Sequence, residues 1–453
     1  MKTVGRLASF GALSLAFAGC AADASQDTQE TTAALTTPLT DADADAATNS
    51  LFHQYWVPGE YQNQFWETFR NAAPAPFGAT CAHVAGGACY WVIAQALDAL
   101  VDAAGRNPSY WSDVDTVLTG AEHSYTDLKT GFYDDEAWMA LALAHAYEAK
   151  HDSRFLCTAT SIYRFIKETG FSYNSETHKF AGVWWQDYNF GTQSTASNFP
   201  VAMVAAILAR YPEMASCSAH VAGQIDAPTL HNDARMIYGY WRNEMTRPAH
   251  GGLQVADCIR LSDVARTETV DGHHVALPEL HCLRDPFMDA QGREWAALTY
   301  DNGVAIGAAF EVFRTEVKYT PNPTQAEQDT LNGYLDDAHA YADFMLKSSE
   351  VEDDVLDDPS PDGNTDLETF KGIAFRYLAM LYVHDRARAP ALGAPYLPVL
   401  KTSALAIWNK ARGRTNLFSW NWNGPGAAEA SLNAQASAVM ALNIAVTDGL
   451  TSD

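Results

Sequence analysis

Three consecutive acidic residues, Asp134, Asp135 and Glu136, stand directly before a long apolar stretch of the sequence, residues 137–147. Two adjacent carboxyl groups at a helix start can act as an acid and a nucleophile, because their mutual repulsion separates their pKa values and the helix N-terminus favours the ionised member. We expect the carboxyl groups of Asp134 and Asp135 to lie about 5 to 6 Å apart, a separation typical of glycosidases that retain the anomeric configuration. The alternative is helix capping, since acidic residues are common in a first turn.

The 453-residue chain carries 29 Lys and Arg residues against 55 Asp and Glu residues, a formal net charge of -26. Such a chain repels polyanions and gains nothing from counterion release, so nucleic acids are excluded as partners. The 12 Trp, 20 Tyr and 20 Phe residues favour a neutral, hydroxyl-rich partner, because aromatic faces stack on sugar rings. The sequence contains no serine-hydrolase, phosphate-loop or dinucleotide-binding motif.

Two kinds of helical segment alternate along the chain. Six are apolar on nearly every side and must be buried, namely residues 90–100, 137–147, 200–209, 303–310, 373–383 and 435–446. Six others carry charges at helical spacing, as outer helices do: residues 51–73, 109–125, 153–169, 224–246, 325–348 and 394–412. The alternation predicts an all-α fold, an α/α six-fold barrel with six inner and six outer helices. An open helical solenoid would give the same pattern.

Strand signals are weak outside two long connections. Residues 180–185 and 254–283 predict small β-hairpin insertions between the helices.

The first fifty residues predict export rather than folded structure. Lys2 and Arg6 precede an apolar run that is too short for a bilayer-spanning helix, and small residues then lead to Cys20. We interpret residues 1–19 as a lipoprotein signal peptide, with lipidation of Cys20. Residues 20–50 have almost no large apolar side chains and predict a flexible tether, so that the folded domain spans 51–453. The expected protein is a monomeric lipoprotein of the cell envelope or cell surface, held to the membrane only through its lipid anchor. The alternative is ordinary signal cleavage, which would give a secreted protein.

Six further cysteines predict three disulfides in an oxidising compartment, paired by proximity as Cys81 with Cys89, Cys157 with Cys217 and Cys258 with Cys282. The alternative is a zinc site built from Cys258, Cys282, His273, His274 and His281, but the usual zinc-ligand spacings are missing. We therefore expect no metal and no other cofactor.

Two other signals have ordinary explanations. The acidic run that contains Asp358, Ser360, Asp362 and Gly363 has the offsets of a calcium-binding loop, but Thr369 occupies the position where the loop needs Glu. It predicts a solvated loop. His145, inside an apolar helix, predicts a hydrogen-bonded core histidine rather than a metal ligand.

The run YDDEAWMALALAHAYE, residues 133–148, resembles the signature of glycoside hydrolase family 76, the endo-α-1,6-mannanases. Further motifs follow in the family's order: Tyr90 and Trp91, residues 182–185, Asn198, residues 300–303, residues 370–373 and residues 422–425. The resemblance implies an α/α six-fold barrel whose cleft lies at one end of the inner ring.

The resemblance also assigns roles. It makes Asp134 the nucleophile and Asp135 the general acid and base. It places substrate contacts at Tyr133, Trp184, Trp185, Asn198, Tyr300, Asp301, Asn302, Lys371 and Trp422. The chain departs from the family pattern at Asp301 and Asn302, where Asn and Gln are commoner, and after the tryptophan pair.

The expected function is that of a retaining, endo-acting hydrolase of α-1,6-mannan or a related α-mannoside polysaccharide. Two alternatives stay open. One is a surface glycan-binding lipoprotein without turnover, and the other is an α/α-barrel hydrolase of a different glycan.

Overall fold

The computed structural model describes residues 37–58, 60–61, 64–65, 68–69, 72–73, 88–174, 177–187, 191–219, 225–260, 267–270, 273–276, 293–361 and 365–452. The predicted signal peptide, Cys20, Cys81 and Cys282 lie outside these residues. Residues Pro38–Asp453 form one compact unit.

Twelve long helices account for most of the described residues. They are α1 (Asp41–Tyr55), α2 (Tyr90–Arg106), α3 (Trp111–Ser124), α4 (Tyr133–Lys150), α5 (Ser153–Gly170), α6 (Thr195–Ala209), α7 (Ala227–Met245), α8 (Thr299–Tyr319), α9 (Gln325–Lys347), α10 (Phe370–Arg388), α11 (Tyr396–Ala406) and α12 (Leu432–Thr447). Shorter helical turns lie at Pro108–Tyr110, Thr126–Leu128, Pro212–Ala219, Thr365–Glu368, Pro390–Gly393 and Ile407–Ala411.

The six even-numbered helices form a closed inner ring. Each packs on the next, from α2 through α4, α6, α8 and α10 to α12, and α12 packs back on α2. The odd-numbered helices lie outside this ring, each against the inner helix that follows or precedes it. Every residue of α6 is buried, as its uniformly apolar sequence predicts. The predicted α/α six-fold barrel is confirmed, and the contact between α12 and α2 excludes the open solenoid.

Short connections place the inner helix starts together. Only two residues separate α4 from α5, a length that makes neighbouring helices antiparallel. Repeated around the ring, this alternation brings the six inner N-termini to the same end of the barrel.

Glycine permits a close approach of two helices within the ring. A Cβ atom on Gly303 of α8 would lie 2.7 Å from the Cα atom of Ala374 on α10, closer than real Cβ atoms come. The backbones of α8 and α10 can meet there because Gly303 has no side chain.

Small strands lie between the helices, as predicted. Those described are β1 (Trp56–Val57), β2 (Glu60–Tyr61), β3 (Gln64–Phe65), β4 (Thr68–Phe69), β5 (Ala72–Ala73), β6 (Phe171–Tyr173), β7 (Phe180–Val183), β8 (Thr192–Ser194), β9 (Thr246–Ala249), β10 (Gly252–Val255), β11 (Cys258–Arg260), β12 (Thr267–Val270), β13 (His273–Ala276), β14 (Val351–Glu352), β15 (Val355–Leu356) and β16 (Ala430–Ser431). All pair antiparallel and two by two: β1 with β4, β2 with β3, β5 with β16, β6 with β7, β8 with β11, β9 with β10, β12 with β13, and β14 with β15.

The start of the folded unit corrects the predicted tether boundary. Residues 41–50 belong to α1, which is the first outer helix, whereas the described residues of the predicted helix 51–73 that follow Tyr55 lie mostly in short strands. A capping box between Thr40 and Asp43 starts α1, and Ala44, Ala47 and Leu51 bury its inner face. Small alanines suffice because α1 packs closely on α12, so the segment needs few large apolar residues.

One predicted disulfide is seen directly. Cys157 and Cys217 are bonded, and they link α5 to the turn after α6. Cys89 and Cys258 each take part in a disulfide as well. Because its sulfur is not a free thiolate, Cys258 is not available for the alternative zinc site.

Buried ion pairs connect the inner helices away from their N-termini. His145 of α4 bonds to Asp98 of α2 at 2.9 Å, and Arg376 of α10 pairs with the same carboxylate at 3.1 Å. Burial alone would lower the pKa of His145, but the neighbouring Asp98 carboxylate outweighs this effect, and the pKa of His145 is raised. The prediction of a satisfied core histidine is confirmed. In the described part of the chain, no helix combines the length and the apolar character needed to cross a membrane.

Candidate active site

The acidic run lies at the N-terminus of α4, where two chain segments meet. The backbone N–H of Tyr133 donates to the carbonyl of Trp185 at 2.9 Å, and the N–H of Asp187 donates to the carbonyl of Gly131 at 2.9 Å. A bridge between Phe132 and Gln186 completes the pairing. The chain that follows β7 is therefore fastened to the start of α4.

Glu136 and Gly131 shape the turn before α4. The Glu136 carboxylate accepts hydrogen bonds from the backbone N–H groups of Thr130 at 3.0 Å and Gly131 at 3.3 Å. Gly131 has a φ of 84°, and a Cβ atom there would lie 2.9 Å from the Asp187 carboxylate. Glu136 thus has a structural role in this turn, and the N-cap residue Phe132 makes no side-chain cap. The capping alternative therefore applies to Glu136 in a modified form: its carboxylate accepts from N–H groups of the preceding turn and not from those of the first turn of α4.

Asp134 is held from two sides. Its Oδ2 atom accepts from the indole N–H of Trp185 at 2.8 Å, and backbone N–H groups of Asp134 and Asp135 also donate to the carboxylate. Its Oδ1 atom has no hydrogen-bond partner in the described part of the chain. Burial raises the pKa of Asp134 to about 7, while these donors oppose the rise because they favour the ionised form.

Asp135 has the opposite environment. Burial raises its pKa well above the usual value, and the carboxylates of Asp134, Asp366 and Glu136 add to the rise. The described residues provide no hydrogen bond that would offset this effect. The two aspartates are both partly exposed, but their surroundings favour an ionised Asp134 beside a protonated Asp135.

Asp366 is a third carboxyl group at this place, and we did not predict it from the sequence. It lies in the helical turn before α10 and accepts from the indole of Trp91, at the start of α2. The negative charge of Asp366 raises the pKa of both Asp134 and Asp135. Its sequence signals were its place at the end of the acidic run 352–366, which we interpreted as a solvated loop, and its position four residues before Phe370, where a motif that we had singled out begins.

Two predicted substrate contacts are structural instead. Tyr133 is fully buried, with its ring packed against Gly170 and Phe165. Asn198 is also fully buried: its Oδ1 accepts from the N–H of Val183 at 2.9 Å, and its Nδ2 donates to the carbonyls of Val183 and Ser194. The oxygen and the nitrogen of the Asn198 amide both bond to the backbone, so this residue connects β7 to α6.

Tyr300, Asp301 and Asn302 lie together at the start of α8 and are buried. The hydroxyl of Tyr300 donates to Asp257, and the Asn302 amide donates to Glu350 at 2.7 Å. Asp358, from the predicted solvated loop, is also buried here and accepts from the N–H of Thr299 at 2.8 Å. Asp358, the first residue of the calcium-loop pattern, is therefore buried and not solvated, and it caps the start of α8.

Lys371 and Trp422 form a second buried set, at the start of α10. The Lys371 ammonium lies 5.2 Å from the ring centre of Trp420 and 5.7 Å from that of Trp422. Burial lowers the pKa of Lys371. Trp422 is 1% exposed, whereas Trp420 is partly exposed. The aromatic surface available from this segment is thus Trp420, two residues before the predicted Trp422. Trp184 and Trp185 are also partly exposed, as a stacking role requires.

No family sequence model matches this chain, and neither does any protein with curated function. The fold, however, resembles that of solved members of glycoside hydrolase family 76. The α-1,6-mannanase of a Salegentibacter species is 20% identical, with a TM-score of 0.67 over 90% of this chain and 99% of that chain. A family 76 mannosidase of Bacteroides thetaiotaomicron is 17% identical, with a TM-score of 0.63 over 90% of this chain and 99% of that chain.

The Salegentibacter enzyme is also solved as an inactive variant in which two consecutive aspartates are replaced by asparagine, in complex with α-1,6-mannotriose. That structure is 19% identical to this chain and has a TM-score of 0.66 over 90% of this chain and 99% of that chain.

Proposed function

We propose that this chain is a retaining glycoside hydrolase that cleaves α-1,6-mannan, or a related α-mannoside polysaccharide, at internal bonds. The observation that carries the proposal is the unequal environment of Asp134 and Asp135. Donors from Trp185 and the backbone stabilise a charge on Asp134, whereas the neighbouring carboxylates keep a proton on Asp135. Two identical side chains are thereby prepared for two different tasks.

The two tasks follow the retaining mechanism. In the first step, Asp134 attacks the anomeric carbon while Asp135 gives its proton to the glycosidic oxygen, so that the leaving chain departs as an alcohol. In the second step, the ionised Asp135 takes a proton from water, and the resulting attack on the anomeric carbon releases Asp134 from its ester. The indole of Trp185 keeps Asp134 oriented throughout.

The fold and the aromatic residues support the choice of substrate. The solved structures with this fold include α-1,6-mannanases, and one inactive variant with two consecutive aspartates replaced binds α-1,6-mannotriose. In this chain an adjacent aspartate pair lies at an inner helix start, with Trp184, Trp185 and Trp91 partly exposed near it. Aromatic faces of this kind provide stacking surfaces for sugar rings.

Reducing-end release from α-1,6-mannan tests the proposal. We expect the wild-type protein to produce new reducing ends with retained anomeric configuration, and oligosaccharides of several lengths if it cuts internally. Asp134→Asn and Asp135→Asn should each lower the rate at least about a thousandfold, because each removes one of the two reacting groups. Folding of both variants is checked by circular dichroism.

Three outcomes would redirect the assignment. Substantial activity in either variant would remove that aspartate from the reaction. Tight binding of mannan without new ends would favour a glycan-binding protein, and cleavage of another polysaccharide in a panel would favour a hydrolase of that glycan. Asp354→Asn, in an exposed turn, is the matched control and should keep full activity.

We also propose that the protein is exported and anchored to the cell envelope through a lipid on Cys20. This proposal rests on the sequence of the first twenty residues. Metabolic labelling with a palmitate analogue tests it: we expect label on the wild type and none on Cys20→Ser, whose release from the membrane fraction should accompany the loss. Label on both proteins, or on neither, would contradict the anchor.

A further inference from the structure

Three aromatic rings form a continuous patch on the β6–β7 hairpin and the adjoining helix α7. The ring centres of Tyr173 and Phe180 lie 6.1 Å apart, and those of Phe180 and Tyr240 lie 5.5 Å apart, in both cases edge to face. Tyr173 is 54% exposed, and Phe180 and Tyr240 are partly exposed. We call these three side chains the hairpin patch.

Packing of the hairpin does not require the exposed ring of Tyr173. Phe171 lies two residues earlier on β6 and is only 9% exposed. Its ring centre lies 5.2 Å from that of Phe180 and 6.5 Å from that of Tyr163 on α5, so Phe171 provides the inward contact. A contiguous aromatic surface exposed to water marks an interaction site more often than a single exposed ring does.

The hairpin patch is joined to the candidate active site by one strand. β7 begins at Phe180 and leads directly into Trp184 and Trp185. The indole of Trp185 donates to Asp134 at 2.8 Å. Because a strand advances about 3.3 Å per residue, the four steps from Phe180 to Trp184 span about 13 Å. A polysaccharide chain that leaves the site along β7 therefore reaches the patch.

The hairpin patch is too small for a stable protein partner. An aromatic side chain buries roughly 150–250 Å² when it is fully covered, and two of the three rings are already partly covered. A stable protein–protein interface needs about 800 Å² on each partner. Three rings in a row suit a narrow chain of sugar rings instead, because aromatic faces stack on such rings.

Hydrogen-bonding groups lie at the edge of the patch. Burial, and then the negative charge of Asp233, raise the pKa of Tyr173, so this carboxylate lies near the Tyr173 hydroxyl. Asp233 accepts from Lys167 at 2.5 Å, and the Lys167 side chain is 26% exposed. An ammonium group has three donors, so Lys167 can donate to a sugar hydroxyl as well. The ion pair is neutral overall, which suits an uncharged glycan.

We propose that the hairpin patch is a second glycan-binding surface, which binds the part of a polysaccharide chain that extends beyond the cleft. The inference rests on the proposed function, because the ligand is the mannan chain that Asp134 and Asp135 cleave. Binding at the patch raises the effective concentration of a long chain at the cleft. A short oligosaccharide that fills only the cleft gains nothing from it.

Binding of a long and a short ligand separates the patch from the cleft. All proteins carry Asp135→Asn, and the ligands are α-1,6-mannan, in affinity electrophoresis, and α-1,6-mannotriose, in calorimetric titration. Tyr173→Ala should weaken mannan binding about two- to tenfold, the value of one aromatic contact, and leave mannotriose binding unchanged. Tyr173→Phe keeps the ring and should bind mannan as the parent protein does. Leu392→Ala, which removes a 53% exposed side chain in the turn after α10, is the matched control and should bind both ligands normally.

Equal mannan binding by Tyr173→Ala and the parent protein would overturn the proposal. Weaker binding of both ligands would place Tyr173 in the cleft, and a changed sedimentation coefficient would make the patch an interface between copies of the chain; each of these results overturns it too.

The hydrolase proposal is judged separately, by the release of reducing ends from mannan by the wild type. If no ends appear, weaker binding of mannan, or of another polysaccharide that the protein binds, by Tyr173→Ala still supports the surface. A protein that binds no polysaccharide overturns both proposals.

Discussion

Trp185 makes the surroundings of the two aspartates chemically different. Its indole N–H donates to Asp134 at 2.8 Å, and its backbone carbonyl accepts from the N–H of Tyr133 at the start of the same helix. A hydrogen bond to a carboxylate stabilises the ionised form. The proposed role of Asp134 as the nucleophile thus depends on its neighbour and not on its residue type.

Trp185→Phe should impair the nucleophile while the packing is kept. Loss of the donor raises the pKa of Asp134, so the acid limb of the kcat/KM profile should move to higher pH, because Asp134 must be ionised to attack. The rate at the optimum should fall about 10- to 100-fold, the value of one hydrogen bond to a charged group. Mannan hydrolysis as a function of pH measures both. Trp111→Phe on α3 is the control, and an unmoved acid limb in Trp185→Phe would refute the role.

Asp366→Asn should move the alkaline limb as well as the acid limb, because this carboxylate raises the pKa of both aspartates. Removing the negative charge lowers the pKa of Asp135, and since Asp135 must be protonated in the first step, activity should be lost at lower pH than in the wild type. Asparagine can still accept from Trp91, so the local structure should persist. The alkaline limb of the kcat/KM profile reports the change. Asp354→Asn should leave that limb in place, and the same null result for Asp366→Asn would show that this carboxylate does not influence Asp135.

At the scale of elements, the position of an inner helix depends on the chain segments that are hydrogen-bonded to its N-terminal residues. β7 is bonded to α6 through Asn198, and the chain after β7 is bonded to the start of α4. The connections between helices therefore place the site, and the ring supplies a rigid base for them. Close contact between α8 and α10 at Gly303 belongs to this base.

Gly303→Ala should destabilise the ring. The new methyl group would lie 2.7 Å from the Cα of Ala374, and backbone cannot move aside as a flexible side chain can. The free energy of unfolding should fall by about 1–3 kcal/mol, the usual cost of overpacking. Gly333→Ala on the outer helix α9 meets nothing within 4 Å and should be neutral or stabilising by about 0.5–1 kcal/mol. Denaturant unfolding compares the two variants, and equal effects would show that the α8–α10 contact can relax.

At the scale of the whole molecule, α1 closes the outer layer where the two ends of the folded unit meet. The N–H of Leu39 donates to Thr451 at 3.0 Å, and Tyr55 donates to the carbonyl of Ala430 at 3.0 Å. Arg106 of α2 also pairs with Asp45 of α1 at 2.5 Å. The contacts of Leu39 and Tyr55 connect residues about four hundred positions apart in the chain, so they form only when the barrel is complete.

Truncation should separate the tether from the barrel. A protein that begins at Pro38 keeps α1 and should melt at the temperature of the longer chain. A protein that begins at Leu51 retains one turn of α1 and loses the burial of Ala44 and Ala47, together with the Thr40 cap. Its free energy of unfolding should fall by several kcal/mol, which is a large part of a typical domain's stability of about 5–15 kcal/mol. Thermal unfolding of both proteins decides, and equal melting temperatures would mean that α1 is dispensable.

The alternation of buried and amphipathic segments was sufficient to predict two layers of helices, because periodicity is a local property that each helix carries in its own residues. Closure of the ring was decided by the contact between α12 and α2. The acidic run at the start of α4 was readable for the same reason. The helix 41–55 was missed, since alanine and aspartate give little apolar signal and the stability of α1 comes from its capping box and its packing on α12.

Only the tertiary structure decided what each candidate side chain does. Tyr133, Asn198 and Trp422 have the residue types of sugar contacts, yet all three are buried, and Trp420 presents the exposed ring instead. Asp366 interacts with the aspartate pair although more than two hundred residues separate them in the sequence. Burial and partnership arise from the way connections fold over the ring, and residues distant in sequence determine them, so no local pattern could have supplied them.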